Sequence, residues 1–192
     1  MKEILLIGGG GHCKSVIDVI EQEGLYKIVG IIDKQESIGM DILGYSFIGI
    51  DSDLKFLAKK YTNALITVGQ IKSTTLRKRL FNIAFDAGFS FPVIVSPRSY
   101  VSKHASIGSG TVIMHNVLIN AHATVGRNCI INTNALIEHD SKIGDFCHIS
   151  TNAVINGGVS VGKETFIGSG SATKEGITIS DNTFVPAGSI VK

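Results

Sequence analysis

Residues 131–149 read INTNALIEHDSKIGDFCHI, with Ile131, Ile137, Ile143 and Ile149 at every sixth position. Followed outward, the spacing runs from Val101 to Val191. It covers sixteen positions, of which fifteen are Val or Ile and the other is Thr173. A helix repeats about every 3.6 residues and a strand about every two, so neither alone makes this pattern. A fixed short period over such a length marks a solenoid, and six residues is the repeat of a parallel β-helix.

The other positions of the repeat agree. Two residues before each aliphatic stands a mostly small or β-branched one, such as Ala105, Ala123, Cys129, Ala135, Cys147 and Ala153. Both sets suit a narrow core that takes one large and one small side chain. Three residues after each aliphatic come Gly110, Asn116, Asn128, Asn134, Asn152, Gly158, Gly170, Gly176, Asn182 and Gly188. Gly and Asn tolerate left-handed backbone dihedrals, so these positions read as corners. Three hexapeptides close one coil of a triangular prism, and residues 18 apart stack on adjacent coils. The expected fold here is a left-handed parallel β-helix over residues 99–192.

Ahead of it, residues 1–98 alternate strand and helix patterns, as in a small parallel sheet flanked by helices. Strands are expected at Ile4–Ile7, Lys27–Asp33, Tyr45–Ile50, Asn63–Gly69 and Phe91–Val95. Helices are expected from Lys14 to Glu23, from an Asp51 cap to about Tyr61, and from Ser73 to Gly88. This is an α/β, Rossmann-like N-terminal domain.

Composition narrows the classes. The 192 residues carry 18 Lys and Arg against 16 Asp and Glu, a net charge of +2 with no basic run behind it. Nucleic acid and membrane surfaces are therefore not favoured as partners. No apolar run reaches the length of a signal h-region or a membrane span. The three cysteines, Cys13, Cys129 and Cys147, form no CxxC pair, which suggests a reducing compartment and no disulfide framework. Cys129 and Cys147 fall 18 apart in the inward position, as stacked core thiols do.

Ligands of open α/β sheets sit at the carboxyl ends of the strands. Three such ends carry candidates. Gly8-Gly9-Gly10-Gly11-His12 opens a helix, where glycines let phosphate approach backbone N–H groups. The G-x-G-x-x-G fingerprint fails at Cys13, so a pyrophosphate is indicated more than NAD. Asp33-Lys34 ends the second strand, and a carboxylate there suits a ribose hydroxyl or a base edge. Gly69-Gln70 ends the central strand.

Five of the six histidines lie in the β-helix. His139 falls between Ala121 and Gly157 in the coil register, a recess for its imidazole. It is flanked by Glu138 and Asp140, and His122 falls on Asp140. Acyl transfer to an amine or hydroxyl needs a base near neutrality, and histidine is the usual choice. A carboxylate from Asp140 or Glu138 would fix its tautomer and raise its basicity. His148 precedes an inward Ile149 and is expected to face outward.

The segment INTNALIEHDSKIGDFCHIS at 131–150, the GGGGH run at 8–12 and the α/β region ahead of the repeats together resemble the NeuD/PglD family of bacterial sugar acyltransferases. The resemblance implies a cytoplasmic homotrimer that uses acetyl-CoA and requires no metal. It implies N-acetylation of a UDP-linked 4-amino sugar, of the UDP-4-amino-4,6-dideoxy-N-acetylglucosamine type, with O-acetylation of sialic acid or a related sugar as the alternative. By position, His139 matches the general base and Asp140 the acid beside it. Asn132 matches an asparagine near the reacting groups. His148, Ser169 and Ala187 fall where acetyl-CoA is contacted. Gly10, Gly11 and His12 match the nucleotide-sugar turn, Asp33 and Lys34 a pair near the uridine, and Gly69 a backbone contact.

Two other classes stay open on the residues. One is a metal-dependent hydratase of the γ-carbonic-anhydrase type, although the histidine spacings lack the expected H-x4-H pair. The other is a non-catalytic sugar-nucleotide-binding protein that keeps the scaffold.

Overall fold

The six-residue period becomes seventeen two-residue strands, from Ile94–Val95 to Ile190–Val191, in the computed structural model, which describes residues 1–192. Each strand pairs in parallel with the one three steps on, so that Leu118 lies against Leu136 and Leu136 against Val154. The strands form three sheets of six, five and six members. This is the left-handed parallel β-helix expected from the repeat. Ile113, Ile119, Ile131, Ile137, Ile149, Ile155 and Ile167 are fully buried in its axis, with Ala123, Cys129, Cys147 and Ala153 between them. Thr173, the exception to the aliphatic row, accepts the Asn156 N–H on Oγ1 at 3.0 Å. All ten expected Gly and Asn corners have positive φ.

The three outer faces differ. The first residue of each strand points outward, opposite its inward partner. On face 1 these are Tyr100, Leu118, Leu136, Val154, Ala172 and Ile190, an apolar ladder in which Leu118 is 38% exposed. Face 2 carries Ser106, Thr124, Lys142, Ser160 and Thr178, an ordinary wetted surface. Face 3 carries Ile94, Val112, Ile130, His148, Phe166 and Phe184, buried except for the last.

The N-terminal unit, Met1–Pro92, has a five-stranded sheet of β1 (Lys2–Ile7), β2 (Tyr26–Ile32), β3 (Asp41–Ile42), β4 (Tyr45–Gly49) and β5 (Asn63–Ile66). Their spatial order is β3-β4-β2-β1-β5. All pairings are parallel except β3 with β4, so the sheet is mixed rather than wholly parallel. That hairpin turns at Leu43 and Gly44, both with positive φ. Helix α1 (Gly11–Glu23) begins inside the glycine run, earlier than its apolar pattern, and buries Val16, Ile17, Val19 and Ile20.

Further expectations need correction, the first being that β5 is the central strand, since it lies at the edge of the sheet. The helix from Asp51 to Tyr61 shrinks to a 3-10 turn, Asp51–Asp53, and the single turn α2 (Leu54–Leu57). Asp53, not Asp51, holds its start, accepting the Ile50 N–H at 2.9 Å, and Phe56 faces solvent. Helix α3 is Thr75–Asp86. The strand expected at Phe91–Val95 does not belong to the α/β sheet. Ile94 and Val95 pair with Val112 and Ile113, so the β-helix begins at Val93 and the boundary lies before Ser96-Pro97. A run of two aliphatics fits either sheet; its hydrogen-bond partners decide.

Candidate functional site

His139 and Asp140 stand on the corner between faces 1 and 2. His139 Nδ1 lies 2.8 Å from Asp140 Oδ2. Asp140 has φ 61, and this left-handed turn points its short carboxylate back at the preceding imidazole. The pair fixes the tautomer: Nδ1–H donates to the carboxylate and Nε2 is left with its lone pair. The hydrogen bond to Asp140 is also the main cause that holds the His139 pKa above the ordinary histidine value. Desolvation opposes it, and the charges of Asp140 and Glu138 add to it.

Glu138 has a different task. Its Oε2 accepts Asn120 Nδ2 at 2.7 Å and the His139 backbone N–H at 3.3 Å, which anchors the main chain at the corner. Of the two carboxylates open in the sequence, Asp140 holds the ring. The second oxygen of Asp140 faces His122 Nδ1 at 3.7 Å. Below the ring lies Gly157, one coil on. A Cβ built there would stand 2.9 Å from His139 Nε2 and 3.0 Å from Cε1. The imidazole occupies the space that any other residue would fill.

A second group gathers on the corner between faces 3 and 1. Asn132 Nδ2 meets His148 Nε2 at 3.2 Å, so two candidate residues are brought together. His148 points away from the axis, but it is only 7% exposed. It stands in a ladder between Ile130 and Phe166, whose ring meets its own edge-on at 5.2 Å. Ser169 and Ala187 follow on the next two coils of the same corner, joined by the Gly188 N–H donating to the Ser169 carbonyl. Ser169 Oγ also pairs with Ser150 Oγ at 2.8 Å. Within one chain, His139 and this group lie on different corners, with the width of face 1 between them.

In the N-terminal unit, the Gly9 N–H and the Lys34 N–H both donate to Asp33, one to each carboxylate oxygen. Asp33 thus clamps the glycine turn, a role that its strand-end position did not reveal. A Cβ on Gly9 would collide with the Phe47 ring. Gly10 caps α1 with no side-chain cap, so the first N–H groups of Gly11 and His12 face outward from the helix end. Gly69 approaches His12 closely, its Cβ position 3.5 Å from the His12 Cβ.

A cavity of about 610 Å³ opens at the carboxyl ends of β1, β2, β4 and β5. Asp33 and Lys34 line it, together with Ile7, Ile32, Ile50 and Val68 from the sheet end. Leu76, Arg79 and Leu80 of α3 and Asp51 also line it, and none of these was assigned a ligand-binding role from the sequence. Only the face that α3 turns to the sheet could have flagged them. Arg77 of the same helix is buried, and its Nη1 donates to the carbonyls of Ile66 and Val68 at 2.8 and 2.7 Å, which fixes the end of β5. No helix is long and apolar enough to cross a membrane, and no group of three or more His, Cys, Asp or Glu is placed to hold a metal ion.

Residues 3–84 match the PglD N-terminal domain family, and residues 104–139 and 140–175 match the bacterial transferase hexapeptide (six repeats) family. Among solved structures, the chain is similar to a histidine-to-asparagine variant of perosamine N-acetyltransferase from Caulobacter crescentus in complex with CoA and GDP-perosamine. The identity is 33%, over 100% of this chain and 89% of that one, with a TM-score of 0.93. It is also similar to the acetyltransferase domain of PglB from Neisseria gonorrhoeae FA1090 in complex with acetyl coenzyme A. There the identity is 27% over 99% and 92% of the two chains, and the TM-score is 0.90. WeeI from Acinetobacter baumannii AYE, at 19% identity over 100% and 97% and a TM-score of 0.77, shares the fold. Curated protein sequences give no match.

Proposed function

Because the chain belongs to the family of left-handed β-helix sugar N-acetyltransferases with a PglD-type N-terminal domain, we propose that it moves the acetyl group of acetyl-CoA onto the amine of a nucleotide-linked amino sugar. The observation that carries the reading is the His139–Asp140 pair, with Nε2 left as an exposed base. The amine attacks the thioester carbonyl carbon; the C–N bond forms and the C–S bond breaks. His139 Nε2 takes the amine proton, and the departing thiolate is protonated in turn. Asp140 supports the imidazolium as it forms.

The glycine turn and the α1 N-terminus suit the pyrophosphate, and the cavity beside them suits the nucleoside. The resemblance implies a UDP-linked 4-amino sugar, while the relative from Caulobacter was solved with a GDP-linked one. Asn132, His148, Ser169 and Ala187 are assigned to the reacting end and to acetyl-CoA.

The working unit in this reading is a homotrimer. Face 1 is an apolar ladder with exposed members, and the wetted face 2 and the closed face 3 are poor alternatives. If three copies turn face 1 toward a common axis, the corner holding His139 meets the neighbour's corner holding Asn132, Ser169 and Ala187. The separation of the two groups in one chain then becomes a site shared by two. Three free buried cysteines and the use of acetyl-CoA agree with a cytoplasmic setting.

The test is His139→Ala, followed by CoA thiol release with nucleotide-linked amino sugars. Turnover should drop by a factor on the order of 10² to 10⁴, with acceptor affinity retained. Near-normal turnover overturns the assignment.

A further inference from the structure

We propose that Asp51 and Arg79 read the nucleobase of the acceptor and commit the cavity to guanine over uracil. The proposal rests on the nucleotide-sugar reading and deepens it.

The cavity offers a flat purine or pyrimidine two apolar walls, Ile32 and Val68 from the sheet end and Leu76 and Leu80 from α3. Such walls hold any base by its faces and choose among none. Choice must come from charged or polar groups at the edge of the ring. Asp33 is poorly placed to choose, because its carboxylate is committed to the main chain, one oxygen accepting the Gly9 N–H of the glycine turn and the other the Lys34 N–H. Lys34 only donates. Glu36 stands exposed on the three-residue turn Gln35–Ser37, which gives its carboxylate no fixed direction.

Asp51 and Arg79 do have a fixed direction. Arg79 Nη2 donates to Asp51 Oδ2 at 2.9 Å, which ties α3 to the turn after β4 and sets both groups into the cavity wall. Their side chains are 53% and 34% exposed for Arg79 and Asp51 respectively, so a ligand edge can reach them. The bond uses one carboxylate oxygen and one guanidinium nitrogen. Each carboxylate oxygen has two lone pairs, so Asp51 Oδ1, the second lone pair of Oδ2 and the remaining Arg79 N–H groups stay available.

An acceptor and a donor side by side match guanine. Its N1–H and N2–H groups are adjacent donors that a carboxylate takes together, and O6 and N7 are acceptors for an arginine. Uracil offers a single N–H between two carbonyls, so a carboxylate that meets the N–H also faces a carbonyl oxygen. Adenine presents no adjacent donors on one edge.

The test is isothermal titration of the full-length protein with GDP and with UDP, in the wild type and in the Asp51→Asn and Arg79→Leu variants. Wild type should bind GDP about tenfold or more tighter than UDP, the discrimination expected of a two-point contact to one base edge. Asp51→Asn should remove most of that preference by weakening GDP alone, because its amide opposes the guanine donors. Arg79→Leu should weaken GDP in the same way and serves if the first variant is unstable. Equal or tighter UDP binding in the wild type overturns the proposal, as does an unchanged ratio in both variants. If neither nucleotide binds, the nucleotide-sugar reading itself fails, a result distinct from binding without preference.

Discussion

Gly157→Ala is the sharpest probe of the base. The added Cβ would stand 2.9 Å from His139 Nε2 and 3.0 Å from Cε1. Comfortable heavy-atom contact begins near about 3.5 Å, so the ring must move by roughly 0.5 Å or more. It has little freedom to do so, because Nδ1 is tied to Asp140 at 2.8 Å on the other side. A displacement approaching 1 Å can cost on the order of 10²-fold in rate, so turnover should fall by about 10- to 100-fold. The nucleotide end of the acceptor is assigned to the other unit, so its KM should hold. A second readout separates displacement from general damage. The base acts when neutral, and its hydrogen bond to Asp140 raises its pKa. Loosening that bond lowers the pKa, so the acidic limb of the rate profile should move to lower pH. Backbone strain is not a confounder, since Gly157 is absent from the positive-φ corners and alanine fits its conformation. Gly158, with φ 69 and no neighbour nearer its Cβ position than the Gly176 Cα at 3.9 Å, gives the converse control. Gly158→Ala should lose about 1–2 kcal/mol of stability with the rate largely kept. The assay is CoA thiol release across pH 5 to about 9, with melting curves beside it. A Gly157→Ala enzyme within about threefold of wild-type turnover, with its pH limb unmoved, refutes the seating of the ring.

Other outcomes follow from the same geometry. Asp140→Asn keeps a partner for Nδ1–H but removes the charge; turnover should fall by about 10- to 100-fold and the acidic limb should move down, both readable in one pH series. Leu118→Glu puts a charge on the second rung of the apolar face 1, so sedimentation should show a monomer and acetyl transfer should vanish with the assembly; an active trimer, or a monomeric wild type, would sink the shared-site reading. Burial, with a smaller push from the charge of Asp33, raises the Cys13 thiol to about 11 against the Thr67 hydrogen bond, and Cys129 and Cys147 are buried in the coil core. A thiol reagent at neutral pH should therefore find no fast-reacting cysteine until the protein is unfolded.

The β-helix was legible in the sequence because its rules are local and repeat. Every coil sets the same demands on the inward aliphatic, the small residue and the corner, so one error cannot shift the register. The α/β unit offered no such redundancy. The 3-10 turn at Asp51–Asp53 and the hairpin of β3 depend on single residues such as Asp53 and Gly44. Ile94 and Val95 look alike whether they pair with an α/β strand or with Val112 and Ile113. The burial of His148 depends on Phe166 a full coil away, and the cavity walls on α3 depend on how that helix is rolled against the sheet. Such facts are pairwise, and no periodic pattern encodes them.

The role of Asp140 turns on what a corner requires. Asp, Asn and Gly accept a left-handed turn most readily, so an aspartate there invites a backbone explanation. The corners of this chain are less exacting. Phe146 and Glu164 take φ 56 and 61 at equivalent positions, and His122 takes φ 59 one coil before Asp140. A phenylalanine that bears the same turn shows that the coil does not dictate the residue. What the coil supplies at Asp140 is direction, since the left-handed turn aims the side chain back along the chain. At that angle one methylene brings the carboxylate to Nδ1 of the neighbouring histidine at 2.8 Å. Gly157, lacking a Cβ, leaves the ring room to accept the contact. Replacing either residue removes one of two constraints on the same imidazole, so their effects on turnover should be less than additive, as expected for residues that act as a unit.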